Sequence, residues 1–100
     1  MSNDRRTNFR VPLNLPAKYE GLSGAYEARI EDMSLSGCFV NARGQVNEGD
    51  TISVEVKLPS GEWLKLPGQV TALHPGIGFG MVFSPLTSSQ KYALEKLLIG

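Results

Sequence analysis

Arginine is concentrated at the start of this 100-residue chain: Arg5, Arg6 and Arg10 stand within six residues, against Asp4 as the one acid of the first ten. A guanidinium fork donates two parallel hydrogen bonds to a phosphate, or to O6 and N7 of guanine, and its flat face stacks on a base. A second polar stretch, Asp32-Met-Ser-Leu-Ser-Gly37, supplies the complement. A carboxylate accepts from the N–H groups of a base edge. The Ser34 hydroxyl both donates and accepts, and Gly37 permits a backbone shape or a close approach that a side chain would block. Together the two stretches could hold a flat, anionic or guanine-bearing ligand. Taken singly, each has a plainer reading. Arginines in a tail are commonly just solvated, and Asp-x-Ser-x-x-Gly is often a polar turn bonded to its own backbone.

Little else in the chain points to chemistry. The single histidine, His74, and the single cysteine, Cys38, cannot make a metal site of the usual Cys/His spacing. His74 sits beside Pro75 with no catalytic motif around it and reads as a strand-end or surface residue. Cys38, followed by Phe39 and Val40, reads as buried and inert. The Gly76-x-Gly78-x-Gly80 run lies inside a strand pattern and lacks the strand–turn–helix setting of a dinucleotide fingerprint. No catalytic residue and no metal ligand is assigned, and the chain is not expected to be an enzyme.

The elements that must position the two stretches are mostly strands. From Pro12, apolar Leu13, Leu15, Ala17 and Tyr19 alternate with polar or exposed-type residues, a half-buried strand in which Pro16 predicts an edge or a bulge. Residues 21–24 read as a turn. A second strand carries Tyr26, Ala28 and Ile30 on one face and ends in a loop over 32–37; a short third strand covers 38–42. After a polar connection over 44–50, Ile52, Val54, Val56 and Leu58 mark the fourth strand, and 59–62 a hairpin-like turn. The fifth runs from about Trp63 to His74, with a bulge or sharp bend expected at Pro67-Gly68. In the sixth, Ile77, Phe79, Met81 and Phe83 share one face, while Gly76, Gly78, Gly80 and Val82 leave the other nearly bare for a close neighbour. Thr87 and Gln90 fit a capping box, followed by a helix with Ala93, Leu94, Leu97 and Leu98 as its apolar stripe. The fold class is therefore all-β with one C-terminal α-helix, a small six-stranded antiparallel β-barrel.

The chain is long enough for one domain. Residues 1–10 read as a flexible, arginine-bearing leader and 11–100 as a single barrel domain. Ten basic and ten acidic residues cancel, which argues against a general DNA- or RNA-binding surface. No apolar run approaches the roughly 18 residues of a membrane span, and the N-terminus lacks the apolar segment of a signal peptide. One cysteine allows no internal disulfide and fits a reducing cytoplasm. A small barrel that binds single-stranded nucleic acid would want exposed aromatics along a basic groove, and several of the eight aromatics here fall on core faces.

The two polar stretches in this order and strand context resemble the PilZ domain family. That family carries Arg-x-x-x-Arg just before its first strand, matched here by Arg6 and Arg10. It carries Asp/Asn-x-Ser-x-x-Gly between its second and third strands, matched by Asp32, Ser34 and Gly37. The resemblance runs from about Arg5 to Leu98 and includes the Gly-Phe-Gly-Met-Val-Phe stretch and the closing helix. It implies a bacterial, cytoplasmic receptor for cyclic di-GMP on a six-stranded barrel, with an arginine segment that wraps over the bound ligand. Arg6 and Arg10 would contact guanine and phosphate, and Asp32 and Ser34 would read a guanine edge, with Gly37 shaping the loop. An arginine before the first motif arginine, as Arg5 is, goes in the family with an intercalated pair of ligand molecules. Gly80 is a further candidate for close backbone approach to the ligand. With no output domain in the sequence, the signal would pass to a partner protein in trans. The alternative within the fold is an interaction module that does not bind the nucleotide.

Overall fold

The period-two pattern becomes a closed barrel in the computed structural model, which describes residues 10–21, 24–43 and 46–99. The strands are β1 (Val11–Gly21), β2 (Gly24–Met33), β3 (Gly37–Asn41), β4 (Thr51–Lys57), β5 (Trp63–His74) and β6 (Gly78–Phe83), followed by helix α1 (Ser88–Ile99). Every neighbouring pair is antiparallel, and the order β1-β2-β3-β6-β5-β4 closes on itself through β1 and β4. Closure matters because an open sheet of this size would leave two unpaired edges. The inward residues of all six strands meet in one core that includes Tyr19, Ile30, Val40, Val54, Leu66, Val70 and Phe79. Tyr19 packs edge-on to Phe79 with ring centroids 5.3 Å apart, and stacks on Tyr26 at 5.6 Å.

Four local expectations shift. The loop predicted over 32–37 is shorter, because Asp32 and Met33 still pair with β3, opposite Phe39 and Cys38. Pro16 pairs in register with Arg29, and the irregularity falls between Pro12 and Leu15. β4 joins β1 only over Ala17–Tyr19, so Pro16 lies just beyond that seam, where its missing donor costs no ladder bond to β4. In β5, Pro67 and Gly68 stay in register with β4, and the shift comes between Val70 and Ala72 on the β6 side. Gly68 is where β5 has both β4 and β6 as neighbours. Ile77 is not in β6: it belongs to the turn that its amide closes onto the His74 carbonyl, and it is exposed. Gly76 in that turn has φ +79°, which a side chain would strain.

The helix begins as its capping box predicts. The Thr87 amide donates to Gln90 Oε1 at 2.8 Å, and the Gln90 amide donates to Thr87 Oγ1 at 3.1 Å. Gln90 also donates from Nε2 to the Lys65 carbonyl, tying the first turn to β5. Leu94 is fully buried, while Ala93, Leu97 and Leu98 pack partly against the core. Thr87→Ala should cost about 1 kcal/mol, read as a lower denaturation midpoint at unchanged slope.

Cys38 is fully buried, and burial pushes its thiol up to about 12, with smaller opposing effects from Arg10 (lowering) and Asp32 (raising). The thiolate is the reactive form. Alkylation in native buffer should therefore be slow and accelerate sharply in denaturant; fast native labelling would contradict the burial. Because the folded state holds the proton above the ordinary value of 9.0, this group's contribution to stability is present at lower pH and is lost as pH rises past 9. Cys38→Ala should flatten that part of the pH–stability curve.

Candidate functional site

Strand register brings the two polar stretches together. Arg10 lies one residue before β1 and Asp32 one residue before the end of β2. Pro12 pairs with Asp32, so a side chain just outside β1 falls beside the Asp32 carboxylate. Arg10 donates from Nε to Asp32 Oδ1 at 2.7 Å, and its Nη2 lies 2.6 Å from the same oxygen. The two side chains are 49% and 36% exposed. Such a half-solvated pair contributes about 0–1 kcal/mol to folding. It costs little to open, and it keeps an anion-binding fork and a carboxylate acceptor poised at one spot.

Ser34 stands differently from Asp32. It is fully buried. Its Oγ accepts from the amides of Ser36 (3.1 Å) and Gly37 (3.2 Å), shares a hydrogen bond with the Ser36 hydroxyl, and lies 3.4 Å from the Gly37 carbonyl as donor. The Ser34 amide donates to that same carbonyl at 2.8 Å. The hydroxyl thus faces into the turn it closes. Gly37 pairs with Val82, and a Cβ there would overlap the Met81 carbonyl oxygen and come within 3.3 Å of the Val82 Cα. Its lack of a side chain is what lets β3 and β6 run side by side immediately after the turn.

Asp32 also stands in a row across the outer face. Phe39 of β3 is opposite Asp32, Gly80 of β6 is opposite Phe39, and Ala72 of β5 is opposite Gly80. With strands about 4.8 Å apart, Gly80 is roughly 10 Å from Asp32. The Phe39 ring meets His74 edge-on at 5.3 Å. Among the described residues the nearest heavy atoms to a Cβ placed on Gly80 would be Thr71 Oγ1 and Ala72 Cβ of β5, at 3.9 and 4.0 Å, which is ordinary contact. The close neighbour expected on the glycine face is found instead at Gly78, where a Cβ would overlap the Val40 carbonyl oxygen.

The result is a row of outward positions with the Arg10–Asp32 ion pair beside it. Four recesses of about 410, 480, 720 and 760 Å³ open elsewhere, and none is lined by Arg10 or Asp32. Arg5 and Arg6 lie outside the described residues. Among the described residues no group of three or more His, Cys, Asp or Glu could hold a metal ion, and no helix is long and apolar enough to cross a membrane. The part Phe39 plays in the row was not picked out by sequence reasoning. Its signal was present, since it alternates with Cys38 and Val40 and must therefore point outward.

Known proteins agree with this architecture. The family model described as the PilZ domain matches residues 4–100. The fold is similar to the PilZ domain of CeSA from a cellulose-synthesizing bacterium, at TM-score 0.72 and 21% identity over 93% of this chain and 97% of that one. It is also similar to the PilZ domain of YcgR from Escherichia coli, solved with c-di-GMP, at TM-score 0.75 and 16% identity over 94% and 88% of the two chains. A third similar structure is the Bacillus subtilis inhibitor of motility MotI/DgrA, at TM-score 0.72 and 15% identity; 90% of this chain aligns with 47% of that one. A search of curated proteins by sequence returns no match.

Proposed function

The chain belongs to the PilZ domain family, and on that premise we propose that it is a non-enzymatic receptor for cyclic di-GMP that signals to a partner protein in the bacterial cytoplasm. The observation that supports this most directly is the Arg10–Asp32 pair. It joins the two motifs of the family at one solvent-open point, with the outward row of Phe39 and Gly80 beside it.

In this reading the ligand replaces the pair with better partners. Asp32 accepts from the N–H groups of a guanine edge, and Arg10 turns its fork to phosphate or to guanine O6 and N7. Arg6 supplies a second fork, and Arg5 stacks on a base when two ligand molecules intercalate. Phe39 and Gly80, which has no side chain, accept the flat body of a base. Ser34 contributes through the turn. Its hydroxyl is held by the amides of Ser36 and Gly37, so its part is to fix the turn that follows Asp32 and leads into Gly37. Residues 1–10 adopt their ligand-bound arrangement as the nucleotide arrives, and that change is what the partner reads.

Calorimetric titration with cyclic di-GMP tests the reading, beside an Arg6→Ala/Arg10→Ala variant. Saturable heat in the wild type that disappears in the variant is expected, and two ligands per chain would support the role given to Arg5. A wild type that gives no heat with ligand up to about 100 µM would leave the interaction-module reading in its place.

A further inference from the structure

The wall of the barrel made by β2, β1, β4 and β5 carries a regular row of charge. Glu27 is opposite Lys18, Lys18 is opposite Glu55, and Glu55 is opposite Lys65. Acid and base therefore alternate across four neighbouring strands. All four side chains point outward, because their neighbours along each strand belong to the core or pack against it. With strands about 4.8 Å apart, the row is roughly 14 Å long. Two recesses of about 480 and 720 Å³ open on this wall, and residues of all four strands line each of them. The four strands thus present a common face. The inner members, Lys18 and Glu55, lie 3.6 Å apart with side chains 48% and 36% exposed. Among the described residues Glu27 and Lys65, at the two ends, make no ion pair.

The rows on either side continue the pattern. One holds Arg29 opposite Pro16, and Lys57 opposite Trp63. Trp63 is 42% exposed, with Lys18 Nζ 4.3 Å and Lys57 Nζ 6.0 Å from its ring centroid. The other holds Ala25 opposite Glu20, and Ser53 opposite Pro67. The order of charge is what selects a partner. A row reading acid, base, acid, base becomes its own complement when turned about a two-fold axis that runs parallel to the strands between β1 and β4. That rotation sets Glu27 of one copy against Lys65 of the other, and Lys18 against Glu55. In the flanking rows it sets Trp63 against Arg29, a cation–π contact, Pro16 against Lys57, Ala25 against Pro67 and Glu20 against Ser53. No like charges meet in any of the three rows. An order such as acid, base, base, acid would set like against like throughout.

We propose that this wall is a face-to-face interface with a second copy of this chain. Two sheets packed this way keep their strands within about 30° of each other, and an isologous contact closes at two subunits. Exposed ion pairs each add little affinity, but across an interface they fix register and reject wrong partners. Trp63 supplies the aromatic anchor. A nucleic acid does not suit a row in which every cation stands beside an acid. Arg10 and Asp32 lie outside these three rows, so the surface stands whether or not the ligand reading does.

Sedimentation equilibrium of the wild type from about 10 µM to about 1 mM should show the mass rising from 10.9 kDa toward twice that value. Charge reversals test the pairing itself. Lys18→Glu sets acid against acid across the axis and Glu55→Lys sets base against base, so each alone should associate about tenfold more weakly or worse. Mixed in equal amounts, the two variants oppose unlike charges at every contact of the row and should associate as the wild type does. Lys18→Glu mixed with Glu27→Lys carries the same net charges but opposes like charges at two contacts, and should stay monomeric. Glu27→Lys with Lys65→Glu repeats the matched mixture at the positions that make no ion pair within the fold, and thermal melts check that each variant is folded. A wild type that stays at 10.9 kDa up to about 1 mM would overturn the proposal. So would folded single variants that associate as the wild type does, or equal association of the matched and mismatched mixtures.

Discussion

Asp32→Ala should weaken cyclic di-GMP binding by about a hundredfold or more while leaving the fold nearly untouched. The two halves of this expectation rest on different magnitudes. A hydrogen bond to a charged group contributes about 1.5–3 kcal/mol, and a carboxylate reading a guanine edge makes two. At about 1.4 kcal/mol per factor of ten, their loss spans roughly two to four decades. The native cost is small because the Arg10–Asp32 pair is half exposed on both sides, worth about 0–1 kcal/mol. In a domain of this size that is a shift of at most about 4–8 °C. Asp32→Asn keeps one acceptor oxygen and removes the charge, so it should fall between, losing about tenfold. Calorimetry and thermal melts on the same three proteins separate binding from stability. An Asp32→Ala protein that binds as well as the wild type would remove this residue from the site and leave the Arg10–Asp32 pair as a surface ion pair only.

How much of this could be read before the fold was known depends on what each residue needs to know about its neighbours. Strands were legible because each buries one face: Ile52, Val54 and Val56 alternate with exposed or half-exposed positions just as their pattern predicts. The helix start was legible because a capping box is local, and Thr87 and Gln90 meet within a single turn. The Arg10–Asp32 contact was legible in residue type but not in geometry. It joins positions 22 apart in sequence, and it depends on a β1–β2 register that slips between Pro12 and Leu15. The direction of Ser34 was not legible at all, since a serine in a polar turn has the same sequence whether its hydroxyl faces a ligand or its own backbone. Whether Trp63, at the start of a strand, belongs to the core or the rim is not legible from its sequence for a similar reason. Its place is set by β4 and β1, which bring Lys57 and Lys18 over its ring.

The glycines of β6 show the same limit most sharply, and they yield the second large effect. Gly78 and Gly80 are two apart on one face and look alike in sequence. Gly78→Ala should destabilise the domain by several kcal/mol, because the new Cβ would overlap the Val40 carbonyl oxygen and lie 2.9 Å from the Val40 carbonyl carbon and 3.0 Å from the Asn41 Cα. All three are backbone atoms of β3, so no rotamer change relieves the overlap and the β3–β6 pair must part. Overpacking a core already costs about 1–3 kcal/mol where side chains can shift, and a domain has only about 5–15 kcal/mol in hand. Among the described residues Gly80→Ala meets nothing nearer than Thr71 Oγ1 at 3.9 Å and Ala72 Cβ at 4.0 Å, which is ordinary contact. It should leave stability equal or raise it by up to about 1 kcal/mol by restricting the unfolded chain. On the outer row beside Phe39, however, that methyl group stands where the proposed ligand would lie, so Gly80→Ala should bind cyclic di-GMP more weakly while melting no lower than the wild type. Denaturation midpoints and calorimetry on the pair decide the matter. A Gly80→Ala protein with unchanged affinity would place the ligand off this row, and a Gly78→Ala protein as stable as the wild type would mean that β3 and β6 do not approach as closely as the register requires.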